Sequence, residues 1–245
     1  ANDYLGARNG EWRGNRLAYG AGKVGQGFDL NGNSYISAPP LDLRSYSGFT
    51  MQAWIKMTNM SLTYAQEIIW QQKPANGANF GLAFVGWGQS LVFLLHADGV
   101  AWSMSVPISP LDWADGNWHL ITCTYNGQVM RIYRDDQRIA SQPRNARVDF
   151  LPPDDLRIGE GFMGTLDEPI VYGWPLSDSE VAAVYNAGSA GMCLRCAPRP
   201  TGLVAWWPGD GAANSLFGPY DGTLSGGASY SSGVVDQCFN LDGDR

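Results

Sequence analysis

Apolar and polar residues alternate along several stretches of the chain, a pattern that predicts β-strands with one buried face. Within residues 49–56 the alternating positions are Phe49, Met51, Ala53 and Ile55, with Thr50, Gln52, Trp54 and Lys56 between them. A period of two places successive side chains on opposite faces of a sheet. This stretch therefore predicts a strand whose first set of side chains lies in the core and whose second set is exposed.

A β-hairpin is predicted around Asn126-Gly127. The flanking residues, 118–125 and 128–133, are rich in β-branched and aromatic residues. Asn-Gly suits a two-residue turn in which both central residues have a positive φ, so the sequence predicts a type I′ turn. Shorter strands are predicted at 170–172 and at 91–96, the latter an apolar run that would be buried on both faces.

Only one segment carries helical signals. Ser177 and Glu180 have the spacing of a capping box, apolar residues follow at helical spacing, and Gly188 provides a stop. These signals predict one short helix near residues 178–187.

Composition supports an all-β fold. Glycine and proline together occupy 31 + 14 = 45 of 245 positions, a density that argues against a helical bundle. Many short strands, frequent turns and one late helix predict a two-sheet antiparallel jelly-roll sandwich.

The charge of the chain limits its partners. A net charge of −7 opposes binding to nucleic acids and to anionic membrane surfaces. No apolar run approaches the roughly 20 residues that a membrane helix needs. We therefore expect neither a nucleic-acid partner nor membrane insertion.

An internal repeat links the two ends of the chain. Residues 22–32 and 233–243 are identical at every second position when they are aligned at an offset of 211. Identity at alternate positions is typical of a strand with one constrained face. A weaker match upstream extends the repeat, so that residues 213–245 duplicate residues 1–33.

Four segments carry a family resemblance. They are residues 49–55, the hairpin region 115–133, the closing region 164–188 and the segment Leu203-Val204-Ala205-Trp206-Trp207-Pro208-Gly209-Asp210-Gly211. Together they resemble the bacterial laminin-G-like, concanavalin A-like jelly-roll family, which often occurs as tandem modules in secreted or surface proteins. The family implies a sandwich in which the opening strand pairs beside the closing strand.

This resemblance implies a domain organisation. Residues 1–190 would form a jelly roll that lacks its first strand, 191–201 a linker, and 202–245 the start of a second repeat. A strand at 203–208 would complete a jelly roll, because an unfilled edge would leave buried backbone groups unpaired at about 1–3 kcal/mol each.

Two outcomes are open for this strand, which includes the assembly residues Leu203, Val204, Trp206 and Trp207. It could fold back onto its own chain. Alternatively, it could insert into a neighbouring copy, so that the chain becomes the subunit of an extracellular filament assembled head to tail by donor-strand complementation. The expected protein partners are therefore other copies of the chain or adjacent repeats.

Catalysis is not expected. Glycoside hydrolases share the jelly roll but need two carboxylates that flank a sugar bond. The related glucanases carry theirs on one strand with the spacing Glu-x-Asp-x-(x)-Glu, and this sequence has no such run. A glycoside hydrolase is retained only as a second alternative.

The resemblance also implies a calcium site and a glycan surface. Calcium would bind Asp167 of the closing strand, with Asn31 and Gly32 of the early turn nearby. Trp54, Trp87 and Trp102 would present rings that stack on sugars. The chain is thus expected to be a non-catalytic laminin-G-like module of a repeat surface protein, located outside the cell or at its surface. Its role would be adhesion or the binding of a polysaccharide or surface glycan.

Overall fold

The computed structural model describes residues 8–16, 18–60, 64–72, 78–86, 89–151, 155–190, 203–206, 229–232 and 237–240. They form two packed antiparallel sheets with few helices, which confirms the predicted jelly-roll sandwich. None of the helices among these residues combines the length and the apolar character that a membrane-spanning segment requires.

The strands, in chain order, are β1 Glu11–Gly14, β2 Tyr19–Ala21, β3 Gln26–Asn31, β4 Ser34–Ala38, β5 Phe49–Met57, β6 Ala65–Gln72, β7 Ala78–Val85, β8 Ser90–Ala97, β9 Val100–Pro107, β10 His119–Tyr125, β11 Val129–Arg134, β12 Gln137–Pro143, β13 Leu156–Ile158, β14 Met163–Tyr172, β15 Leu203–Trp206, β16 Ser229–Ser232 and β17 Gln237–Asn240. The helices are α1 Pro110–Trp113, α2 Asp178–Ala187 and a 3₁₀ turn Gly188–Ala190.

We call the two layers sheet 1 and sheet 2. Sheet 1 has the strand order β1-β4-β13-β6-β7-β8-β9. Sheet 2 has the order β12-β11-β10-β5-β14-β3-β2, and β15 pairs with β14 beside this path. Strands β16 and β17 form a separate pair.

The core lies between the sheets and follows the predicted alternation. Phe49, Met51, Ala53 and Ile55 of β5 are fully buried in it. They face residues of sheet 1; the ring of Phe49, for example, packs 5.7 Å from that of Phe80. The prediction of one buried face for this strand is confirmed.

The predicted hairpin is present, but its turn differs from the prediction. Strands β10 and β11 pair in register from Tyr125–Met130 to Ile121–Arg134. Gly127 has a positive φ of 83°, whereas Asn126 is not among the described residues with a positive φ. Instead, the Asn126 side-chain oxygen accepts hydrogen bonds from the backbone N–H groups of Gln128 and Val129. This side-chain turn replaces the type I′ geometry.

Helix α2 forms where it is predicted and covers the outer face of sheet 2. Ser177 and Glu180 make both hydrogen bonds of the capping box, and Gly188 ends the helix with a φ of 55°. Val181 is fully buried beside Ile170 and Tyr172 of β14 in a second apolar cluster. Sheet 2 is therefore buried on both sides over β5 and β14.

Strand β8 is buried on one face rather than on both as predicted. Leu91, Phe93 and Leu95 point into the core and are fully buried. Val92 and Leu94 lie on the opposite face and are only half-buried. The outer face of sheet 1 therefore remains partly open.

Two features of the chain after residue 202 bear on the predicted repeat. Strand β15 pairs with β14 of the same chain, Trp206 opposite Ile170 and Leu203 opposite Tyr172. Strands β16 and β17 place Tyr230 opposite Phe239, as β2 and β3 place Tyr19 opposite Phe28. The two hairpins share one register at the offset of 211. The division into a jelly roll, a linker and a second repeat stays a prediction.

Candidate functional site

One row of side chains crosses the outer face of sheet 1 from β4 to β9. Cross-strand partners lie on the same face of a sheet, so the pairing fixes the row. Its members are Ser37, Arg157, Trp70, Gly81, Leu94 and Ser103. Trp70, Leu94 and Arg157 are half-buried and Ser103 is exposed, so the row is accessible from outside.

Trp70 lies against the sheet because its cross-strand partner is a glycine. A Cβ atom at Gly81 would fall 2.0 Å from Cε3 of the Trp70 ring. Only glycine leaves the space that the indole occupies, and Gly81 is in turn buried beneath it. The ring therefore has one side packed on the backbone and remains partly accessible.

A β-bulge brings Glu67 to the same face as Trp70. Three positions separate these residues, so a regular strand would place them on opposite faces. The register of β6 on β7 shifts between Glu67 and Ile69, and Glu67 pairs with Ala83 while Trp70 pairs with Gly81. The extra residue at the bulge thus re-aims Glu67 toward the outer face.

Arg157 holds two carboxylates beside the indole. Its Nε lies 2.9 Å from Oδ1 of Asp155, and its Nη1 lies 2.6 Å from Oε2 of Glu160. The guanidinium also lies 5.5 Å from the centre of the Tyr35 ring. Burial alone would lower the pKa of Arg157, but hydrogen bonds and charge interactions with Glu160 and Asp155 raise it. Arg157 is therefore a fixed cation.

Glu67 behaves differently from its acidic neighbours. Burial, followed by the charge of Glu160, raises the pKa of Glu67 to about 8, although the Arg157 charge acts in the opposite sense. The raised pKa favours the protonated, uncharged form of Glu67, whose Oε2 atom is buried without a hydrogen-bond partner. We call Tyr35, Glu67, Trp70, Arg157 and Glu160 the Trp70 patch.

The patch combines the groups that bind sugars. An indole face offers apolar contact, while a carboxylate accepts and a guanidinium donates hydrogen bonds. The sequence did not reveal the patch, since none of its residues belongs to a motif. A glycine opposite a tryptophan is a recognisable sequence signal. It can be recognised at Trp70 and Gly81 only when the register of β6 on β7 is known.

Of the predicted sugar-stacking residues, Trp54 is not exposed. The residue is 3% accessible, and its ring stacks on Tyr185 of α2 with ring centres 5.7 Å apart. The Lys23 ammonium lies 4.6 Å from the ring centre. Gln52 of the same face is also buried. The prediction that this face is exposed was wrong, because α2 covers it.

Trp102 and Trp87 complete the predicted set. Trp102 is half-buried on β9 and packs against the edge of the core, and its Nε1–H donates to the Ala97 carbonyl at 3.3 Å. The Arg144 guanidinium lies 4.2 Å from its ring centre. Trp87 falls outside the described residues. The structure does not bring Trp54 and Trp102 together, since they lie on different sheets.

The predicted calcium ligands are also not brought together. Asn31 pairs with Met163, so Asp167 lies four residues further along β14, about 13 Å away at the usual strand rise. Asp167 is fully buried, and its Oδ2 accepts a hydrogen bond from the Val24 N–H at 2.8 Å. Gly32 donates its N–H to the Phe162 carbonyl.

This geometry assigns Asp167 a structural contact. Within the described residues, no group of three His, Cys, Asp or Glu side chains has a metal-binding arrangement. Calcium binding by the chain stays a prediction, and the structure does not bring the predicted ligands together.

Three of the four predicted assembly residues belong to the part of the chain that the structure describes. Leu203, Val204 and Trp206 belong to β15, whose backbone pairs with β14. Trp207 lies outside the described residues.

Comparison with known proteins identifies the family. The model of the concanavalin A-like lectin/glucanase superfamily, Laminin_G_3, matches residues 30–182, which is more than half of the chain. The chain belongs to this family. The resemblance of the strand, hairpin and closing segments is thereby confirmed at family level. No curated protein matches the sequence.

Solved structures show the same fold at low identity. Domain 4 of AbnA, an extracellular arabinanase from Geobacillus stearothermophilus in complex with arabinotriose, is 19% identical with a TM-score of 0.53, covering 71% of this chain and 86% of that domain. The binding domain of botulinum neurotoxin serotype G is 17% identical, with a TM-score of 0.56. The match covers 73% of this chain and 46% of the neurotoxin domain.

The binding domain of Paraclostridial Mosquitocidal Protein 1 is 15% identical, with a TM-score of 0.55. The match covers 74% of this chain and 48% of that binding domain. The chain thus matches about half the length of the two toxin binding domains. At these identities the comparisons establish the fold.

Proposed function

We propose that this laminin-G-like chain is a non-catalytic, extracellular binding module that recognises a glycan through the Trp70 patch. The observation that carries the proposal is the placement of the Trp70 indole over Gly81, beside Arg157, its cross-strand partner on β13. A ring held against a sheet loses little freedom on binding, so it can contact the apolar face of a sugar at a low entropic cost.

The charges of the patch favour a neutral glycan. Glu160 and Asp155 offset the single cation Arg157, and the chain as a whole carries a net charge of −7. A carboxylated or sulfated sugar would be repelled by this field. The arabinotriose complex of the structurally similar AbnA domain supports a neutral ligand, by analogy of fold.

The carboxyl groups of the patch favour binding over hydrolysis. Glycosidases hold their two carboxyl groups about 5–9.5 Å apart so that a sugar bond fits between them. Glu160 is instead held by Arg157, with its Oε2 2.6 Å from Nη1, and the Oε2 atom of Glu67 is buried. A carboxylate paired with an arginine suits the acceptance of hydrogen bonds from sugar hydroxyls.

A glycan array followed by calorimetry tests the proposal. The intact chain should bind at least one neutral oligosaccharide, and Trp70→Ala should weaken binding by about tenfold or more, as for a central aromatic anchor. Trp102→Ala is the matched control, because it removes another half-buried indole outside the patch.

Three results would contradict the proposal. Binding that is lost in Trp102→Ala and retained in Trp70→Ala would move the site to β9. Binding only to acidic glycans would contradict the ligand class. No binding to any glycan on the array would contradict the function itself.

A further inference from the structure

The edge of β14 at Ile170–Tyr172 is a slot for one more strand. On one side, these residues pair with Gln52–Thr50 of β5. On the other side, β3 pairs only with Met163–Leu166, so this part of the edge is left to β15. Ile170, Val171 and Tyr172 are all fully buried. Unpaired backbone groups here would be costly, because buried donors and acceptors need partners.

The strand that fills the slot carries the features of a second unit. It is followed in the chain by β16 and β17, whose register reproduces that of β2 and β3 at the offset of 211. In the first unit, the equivalent hairpin is docked on β14 through Phe28 opposite Leu166. In the predicted division of the chain, β15 is therefore the opening strand of the second repeat.

The pairing between β15 and the β14 edge is short. Three residue pairs join it to β14, with an irregularity between Val171 and Tyr172. Residues 191–202 connect it to the 3₁₀ turn that ends at Ala190, and twelve residues can span at most roughly 40 Å when extended. A short strand on a connection of this length can reach a neighbouring molecule as well as its own.

We infer that the β14 edge is an acceptor for the Leu203–Trp206 strand of a second copy of this chain, so that copies join by exchanging β15. Every copy carries the same donor and the same acceptor. The donor on the same chain has an effective concentration of about millimolar, so exchange between chains competes with it at high protein concentration. Reciprocal exchange gives a closed dimer, and one-way exchange gives an open head-to-tail chain.

Cysteine pairing between chains tests this inference directly. Val171 and Ala205 are cross-strand partners, and directly opposed residues of antiparallel strands have a spacing that a disulfide can bridge. Two full-length variants, Val171→Cys and Ala205→Cys, are prepared with Cys193, Cys196 and Cys238 replaced by serine. Cys123 is fully buried and stays. The two variants are mixed, refolded together so that strands can exchange, and oxidised.

We expect a disulfide-linked species with twice the mass of one chain, in a yield that rises with protein concentration. The double variant Val171→Cys/Ala205→Cys should give both this species and a monomer closed within the chain. A disulfide that forms only within the double variant, at every concentration, would overturn the inference. No disulfide in either sample would overturn it as well, because β15 would then not occupy the slot.

A second measurement guards against a folding defect in the Val171 variant. Ala205→Pro removes a backbone donor from β15 and leaves every residue of β14 as it is. Light scattering of the unmodified chain at increasing concentration should show dimers or longer chains, and Ala205→Pro should abolish them. Assemblies that persist unchanged in Ala205→Pro, or an unmodified chain that stays monomeric throughout, would contradict strand exchange. Glycan binding by the Trp70 patch is measured separately and does not depend on this result.

Discussion

The outer faces of the two sheets each carry a tryptophan, and the two side chains differ in how far they are covered. On sheet 2, Trp54 is sealed between Tyr185 of α2 and Lys23 and is 3% accessible. On sheet 1, Trp70 lies over Gly81 beside charged groups and is only half-buried. The comparison shows that the role of a tryptophan on the outside of a sandwich depends on what covers the sheet.

The largest expected effect is on the covered face. Trp54→Ala should lower the free energy of unfolding by about 3–5 kcal/mol, because it leaves a cavity beneath α2. Trp70→Ala is the matched control and should cost less than half as much, since its ring is half-buried. Denaturant unfolding of both variants measures the difference. Equal losses in the two variants would show that the two faces are equally packed.

The second effect concerns the protonated carboxyl of the open face. The pKa of Glu67 is about 8 in the folded chain and lies near its ordinary 4.5 when unfolded. The folded state therefore binds the proton more tightly, so the contribution of Glu67 to stability is present below pH 4.5 and is lost as the pH rises to about 8.

Glu67→Gln keeps the shape of the protonated form and should remove this loss. At pH 9 we expect the variant to be more stable than the unmodified chain by about 2 kcal/mol, a value reduced from the full shift because solvent screens the patch. At pH 4.5 the two should be equal. If the difference in free energy of unfolding between the two proteins were the same at every pH, Glu67 would not be the group that causes the loss of stability.

A third effect tests the support of the Trp70 ring. Gly81→Ala places a methyl group where the indole lies, so it should displace the ring and cost about 1–2 kcal/mol by overpacking. Affinity for the glycan should fall with it. The double variant Trp70→Ala/Gly81→Ala should recover part of the lost stability. Simple additivity of the two changes would contradict a direct contact between the ring and residue 81.

The smallest effect concerns helix α2, which covers the outer face of sheet 2. Ser177→Ala removes the capping-box acceptor of α2 and should cost about 1 kcal/mol. Because α2 covers Trp54, near-ultraviolet circular dichroism should change slightly in this variant. Glycan affinity should not change, since the Trp70 patch lies on the other sheet. A loss of affinity would show that the faces are coupled.

The fold was predictable from the sequence where the signals are local. Alternation identified β5, Asn-Gly identified the hairpin between β10 and β11, and the capping box identified α2. Each of these depends on residues within a few positions of one another. The turn type at Asn126 was missed because its side chain competes with the backbone for the hydrogen bonds of the turn.

The candidate site was not predictable because it depends on long-range pairing. The β-bulge beside Ile69 reverses the side of the sheet on which Glu67 lies, and no local pattern marks it. The requirement for glycine at position 81 is evident only when Trp70 is known to be its cross-strand partner. Alternation did place Trp54 on the outer side correctly. Its burial follows from α2, which lies more than 120 residues later in the chain.

The most direct test of the account follows the indole N–H signals during a titration with a neutral oligosaccharide. Each tryptophan gives one signal in a nitrogen-edited spectrum, and Trp70→Phe and Trp54→Phe assign two of them. We expect the Trp70 signal to shift with saturation while the Trp54 signal stays in place. A shift of the Trp54 signal with an unmoved Trp70 signal would contradict binding at the Trp70 patch.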